Sequence, residues 1–127
     1  MHKSKLVAAI LDCETDDLTA AARFWSAALG RKPSSSDDPA SAKYVSLGSG
    51  NEELLLMVQK VPHPSRVHID IETDNVDAEV ARLEALGAKR IEQVKTWWVM
   101  EAPTGHRFCV VKPQRDGVMP RDANEWS

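Results

Sequence analysis

His68, Asp70 and Glu72 occupy alternate positions in the run Arg66-Val67-His68-Ile69-Asp70-Ile71-Glu72, so on a strand they share one face. At an offset of 58 residues the same phase is filled by Ile10, Asp12 and Glu14. An imidazole among carboxylates can do general acid–base work, because like charges in a low-dielectric site raise a carboxyl pKa towards neutrality. The competing reading is structural. Asp12 and Asp70 would then pair with Arg or Lys, or hydrogen-bond backbone, and for the aspartates this outweighs catalysis. Glu14 and Glu72 stand at strand ends and are expected to be solvated. His68 as base or metal ligand competes with His68 as a ligand-contacting group, or one hydrogen-bonded to Asp70 or a water. Val67, Ile69 and Ile71 should face a helix.

Two further groups belong to the same region. Cys109 could act as a nucleophile only with a lowered pKa, and nearby carboxylates raise it instead. A small hydrophobe lining a pocket is the plainer role. Trp97 and Trp98 are adjacent and must point to opposite faces of a strand; if Met100 faces the helix, Trp98 joins the core and Trp97 meets the ligand side. His63 and His106 fall on turns and are expected to be exposed. The other cysteine, Cys13, alternates with Leu11 and Ala9 and should lie under a helix as a free thiol; Cys109 should be the more accessible of the two. Neither belongs to a CxxC motif, so a disulfide framework or Cys-rich zinc site is excluded.

The elements that position these residues come in two copies. Glu14-Thr15-Asp16-Asp17-Leu18 returns as Glu72-Thr73-Asp74-Asn75-Val76, each preceded by an alternating strand and followed by a helical pattern ending in Leu-Gly. The first copy reads as a strand over about 5–14 and a helix over about 18–29. Asp16 or Asp17 caps that helix, Gly30 ends it, and Leu18, Ala21, Ala22, Trp25, Ala28 and Leu29 form its apolar stripe. A polar loop, Lys32 to Pro39, precedes strands over about 42–48 and 53–60, joined by the turn Gly48-Ser49-Gly50-Asn51. The linker 61–65 carries Pro62 and Pro64. The second copy reads as a strand over 66–73, a helix over about 76–86 capped by Asn75, and strands over about 88–94, 97–101 and 107–112. The apolar positions of this helix are Val76, Val80, Leu83 and Leu86. The organisation is α+β: two tandem β-α-β-β-β modules, about 5–60 and 66–112, in one domain over 1–113 with a central cleft between curved sheets. Residues 114–127 read as a loosely ordered tail.

Bulk properties narrow the classes. The 127 residues carry a net charge of −3 with both signs interspersed, and form no basic stripe for nucleic acid. No apolar run approaches the roughly 18–20 residues of a membrane span. The expectation is a cytoplasmic protein with neither nucleic-acid nor membrane partners.

The doubled unit, with Asp17-Leu18…Phe24-Trp25…Leu29-Gly30, His68-Ile69-Asp70-Ile71…Asp74…Leu86-Gly87-Ala88 and Pro103-Thr104-Gly105-His106-Arg107-Phe108-Cys109, resembles the vicinal oxygen chelate superfamily. That superfamily includes glyoxalase I, extradiol dioxygenases, and fosfomycin and bleomycin resistance proteins. The resemblance spans about 5–112 and is nearest to the glyoxalase-like branch. It implies a homodimer. In metal-using members, His or Glu on the first and last strand of each half hold one divalent ion. Carried over, these positions are Ile10, His68, Cys109 and a residue near Leu54 or Leu55. With one imidazole, one thiol and two aliphatics, the resemblance implies no bound metal or other cofactor; His68 is the ligand if a metal is found. Ala102 and His106 depart from the family's turn, Asp-Pro-x-Gly-Asn.

The expected function is binding, or metal-independent turnover, of a small and partly apolar molecule. Its site would comprise Ile10, Asp12, His68, Asp70, Trp97 or Trp98, and Cys109. The alternatives are a metal-dependent lyase, isomerase or dioxygenase using His68, and a structural homodimer with a vestigial cleft.

Overall fold

The computed structural model describes residues 1–34, 43–48, 54–114 and 117–127. The expected Gly48-Ser49-Gly50-Asn51 turn and most of the Lys32–Pro39 loop lie outside these residues. Among the described residues, two helices and eight strands make an α+β fold. In order they are β1 (His2–Glu14), α1 (Leu18–Leu29), β2 (Tyr44–Leu47), β3 (Leu55–Val61), β4 (Arg66–Thr73), α2 (Val76–Ala85), β5 (Lys89–Val94), β6 (Trp97–Glu101), β7 (Arg107–Val111) and β8 (Asn124–Trp126). No helix among the described residues is long and apolar enough to cross a membrane. The chain divides into two compact units, one of Ala8–His68 and one of Met1–Val7 with Ile69–Ser127.

In the Ala8–His68 unit, β1 runs parallel to β3, and β3 runs antiparallel to β2. The register sets Ile10 beside Met57 and Asp12 beside Gln59, with Tyr44 next to Gln59 on the far side. The opposite face carries Val58 and Leu47, which are buried. Among the described residues of the expected polar loop, Pro33 bridges Leu47 in antiparallel fashion. Asp17, not Asp16, caps α1: its Oδ1 accepts the Ala20 N–H at 3.0 Å. Gly30 ends the helix at φ 67°, a left-handed conformation that any side chain would strain. The apolar stripe is less buried than its spacing predicts. Only Ala22 is fully buried, and Ala28 and Leu29 are exposed.

The second unit repeats the plan. Its β4 runs parallel to β7, which pairs antiparallel with β6, and β6 pairs antiparallel with β5. Asn75 caps α2 through Oδ1, which accepts the Ala78 N–H at 3.0 Å. Val80, Leu83, Met100, Phe108 and Val110 form the core, with Ile71, Val76 and Trp98 packed on it. Leu86, expected on the apolar side, is exposed because it is already the C-cap.

The end of the chain departs from the expectation of a loosely ordered tail. Residues 124–126 form β8, antiparallel to the start of β1, with His2 opposite Trp126. This pairing explains why β1 begins at His2 rather than near residue 5. A polar network ties both strands to α2. The Trp126 indole N–H donates to Ser4 Oγ at 2.8 Å, and the Arg82 guanidinium lies 3.9 Å over the Trp126 ring. Arg82 grips both carboxylate oxygens of the fully buried Glu79 at 2.8 Å, and His2 Nε2 lies 2.7 Å from the same carboxylate. Burial alone would raise the Glu79 pKa. Hydrogen bonds from Arg82, His2 and Ser4 outweigh it and hold the carboxyl at about 2.

Candidate functional site

Strand alternation and ladder register set the positions. Along β4, His68, Asp70 and Glu72 share a face, and Asp70 sits in register with Cys109 on β7. Cys109 in turn faces Val99 on β6, so Trp97 shares the Cys109 side while Trp98 lies opposite, against the core. The expected phase of the two tryptophans therefore holds. Donor atoms of His68, Asp70 and Cys109 all lie within 4.8 Å of one another. Two local links make this cluster: a two-residue step along one strand and a single ladder rung.

His68 is held by Asp12. Its Nδ1 lies 2.6 Å from Asp12 Oδ2, a charge-assisted length. Asp12 is only 4% exposed. The Arg66 guanidinium stands 3.9 Å from the same oxygen, which in part bears out the expected aspartate–cation pairing. The other oxygen, Oδ1, is buried and makes no hydrogen bond among the described residues. Ile10, two residues before Asp12, is buried.

Three expectations are corrected. Glu72 is 2% exposed, not solvated, because the polar face of β4 is the covered one. Conversely, Val67 and Ile69 are 55% and 40% exposed, so the apolar side of β4 is shielded only from Ile71 onward, where α2 packs. Cys13 is half-buried rather than sealed, like Cys109, so exposure does not separate the two thiols. Burial, followed by the neighbouring Asp12 charge, raises the Cys13 thiol pKa.

Register also relocates one position. Since Asp70 pairs with Cys109 and its repeat mate Asp12 pairs with Gln59, the first-half counterpart of Cys109 is Gln59, not Leu54 or Leu55. Gln59 and Tyr44 were missed as polar neighbours. Gln59 could not be placed without the register, because the connection between β2 and β3 has no fixed length in the pattern.

A divalent ion is what the superfamily implies, and the donor set tests it. A hard ion wants oxygen and nitrogen from both halves. Here Ile10 offers nothing and Gln59 only a neutral amide. Imidazole, carboxylate and thiolate on β4 and β7 instead make a mixed N, O, S set that suits a borderline ion such as Zn²⁺, which accepts three protein ligands and an open position. His68, Asp70 and Cys109 would hold it.

Residues 8–111 match the family model described as a glyoxalase-like domain. Among solved structures, the hypothetical protein BH1468 from Bacillus halodurans is 14% identical with a TM-score of 0.64, the match covering 88% of this chain and 96% of that one. Methylmalonyl-CoA epimerase from Mycobacterium tuberculosis is 12% identical, TM-score 0.63, covering 87% and 89%. The Mn(II)-bound glyoxalase from Novosphingobium aromaticivorans is 20% identical, TM-score 0.53, covering 85% of this chain and 38% of that one. These likenesses concern the fold alone. No curated protein matches the chain. The family model covers most of the sequence, from the strand that carries Asp12 to the strand that carries Cys109. The chain thus belongs to the glyoxalase-like domain family of the vicinal oxygen chelate superfamily.

Proposed function

We infer that this chain binds a small, partly apolar molecule on the polar face of β4 and β7, through His68, Asp70 and Cys109, without requiring a metal. The observation that carries this reading is the convergence of those three side chains within 4.8 Å. Trp97 shares the Cys109 side of β6 and supplies aromatic surface, and a few convergent polar groups beside such a surface are the usual form of a ligand site. Asp70 adds negative potential, which favours neutral or cationic ligands over anions. His68 is the group suited to moving a proton if the bound molecule is turned over.

The test is a thermal-shift and tryptophan-fluorescence screen, with chelator present, against small neutral, cationic and anionic compounds. Neutral or cationic compounds should stabilise the protein, and His68→Gln should abolish the effect. A screen in which only anions bind, or nothing does, overturns the reading.

The same three donors favour a second reading, in which a borderline divalent ion polarises the ligand. Elemental analysis after chelator-free purification separates the two. One zinc per chain, lost in both His68→Ala and Cys109→Ser, would promote the second.

A further inference from the structure

We propose that β8 is a strap that releases locally, while the rest of its unit stays folded, and that Glu79 sets how firmly it is held. The strap is short and lies outside the core. Its three residues pair with His2, Lys3 and Ser4, and none of them belongs to the cluster of Val80, Leu83, Met100, Phe108 and Val110. The Lys3 N–H donates to Asp74 Oδ1 at 2.8 Å and its C=O accepts the Asp74 N–H at 3.3 Å. The backbone groups of His2 and Ser4 point the opposite way and are left for β8. Two ion pairs flank the ladder, Lys3 with Glu125 and Lys5 with Asp122. Glu125 and Asp122 are 60% and 70% exposed, and pairs so wetted hold little. The main hold is therefore on Trp126.

Glu79 reaches the seat of that indole by three routes. Ser4 hydrogen-bonds Glu79 and accepts the indole N–H at 2.8 Å. Arg82 donates to both Glu79 oxygens and spreads its guanidinium 3.9 Å over the ring. His2, 2.7 Å from Glu79, is the ladder partner of Trp126. A carboxylate can only accept, so the Ser4 hydroxyl hydrogen is turned towards Glu79 and a lone pair towards the indole. Hydrogen bonds chained in this way strengthen one another. One buried charge on α2 thus orients the hydroxyl, the guanidinium and the imidazole that together receive Trp126. A segment held by so few buried apolar contacts opens at a lower free energy than the core. Its release also frees a wall. Gly117, Val118 and Met119, on the approach to β8, line a cavity with Lys95, Thr96 and Lys112, and an undocked strap no longer anchors that side.

The experiment is amide hydrogen exchange of the full chain, read by NMR at neutral pH with and without urea well below the unfolding midpoint. In the wild type, the protected amides of His2, Ser4 and β8 should have protection factors at least about tenfold below those of Val80, Leu83 and Val110, and should respond little to urea. Strap amides that exchange at the core rate, with the core's urea dependence, overturn the proposal on the wild type alone. The part played by Glu79 is read on two variants. In Glu79→Gln, ¹⁵N relaxation should show residues 124–126 as mobile as a free chain end while Val80 and Val110 stay rigid. A folded Glu79→Gln in which 124–126 are as ordered as in the wild type removes Glu79 as the holder of the strap. If that variant fails to fold, Glu79→Asp keeps the charge but shortens its reach, and should lower strap protection at least about tenfold relative to the core amides. An unchanged ratio, or failure of both variants to fold, assigns Glu79 to the stability of the whole unit and overturns its role in the strap.

Discussion

Two carboxylates that occupy equivalent places in the repeat have different surroundings. Asp12 is buried against His68 and Arg66, whereas Asp70 is half-buried beside Cys109. Asp70→Asn should therefore weaken ligand binding by about tenfold or more, while moving the melting temperature by no more than about 3 °C. Fluorescence titration and thermal unfolding of the same samples decide it. A stability loss of several kcal/mol would instead mark Asp70 as half of a buried structural pair. The raised thiol pKa of Cys13 gives a second outcome: alkylation at neutral pH should be slow, and should accelerate as pH rises past the usual thiol range more than in unfolded protein. Mass spectrometry of native and denatured samples reads this. His68, Asp70 and Cys109 were legible as site candidates because strand alternation and the repeat place them without knowledge of loops. The Asp12–His68 contact was not, since a period-two pattern gives a side chain its face but not its partner. Glu72 failed for a related reason: strand-end position argues for solvent, and only the surrounding chain shows that it is covered.

At the scale of elements, the helix caps, the central strands and the phase of Trp98 followed from local pattern. The ends did not, because β8 exists only through its pairing with residues 2–4 and through Trp126 meeting Ser4 and Arg82. No local signal announces such a strand. Glu79, an acidic residue in the first turn of α2, likewise reads as solvent-facing until Arg82 and His2 are placed around it. Its folded pKa of about 2 lies below the ordinary value of 4.5, so its stabilising contribution is complete above about pH 4.5 and is lost as pH falls towards 2. Glu79→Gln should cost about 3 kcal/mol at neutral pH, since it leaves the buried face of Arg82 without its charge partner. It should also flatten the acid limb. Urea unfolding of both proteins at neutral pH and near pH 3 measures both effects. Equal pH slopes in the two proteins would remove Glu79 from the account.

Across the whole molecule, the exposed apolar side chains Val67 and Ile69 on β4, at 55% and 40%, are costly to leave in water. A second copy of the chain is the expected cover, and light scattering at micromolar concentration should give twice the monomer mass. Val67→Lys should then shift the mass towards the monomer without loss of the fold. A monomeric wild type would refute the pairing.

The order in which the chain is made has a further bearing on these units. Ala8–His68 is continuous, whereas the other unit is interrupted by it and needs both Met1–Val7 and Ile69–Ser127. On a ribosome the continuous unit can close while the rest is still being synthesised. His2 and Ser4 must wait until residues 124–126 have emerged from the exit tunnel before the ladder and the indole contact can form. Contacts so distant in sequence close late, because loop entropy is lost before the contact repays it. β1 is thus translated well before β8 can complete it, and its leading residues remain a temporary client for any chaperone that holds unpaired strands.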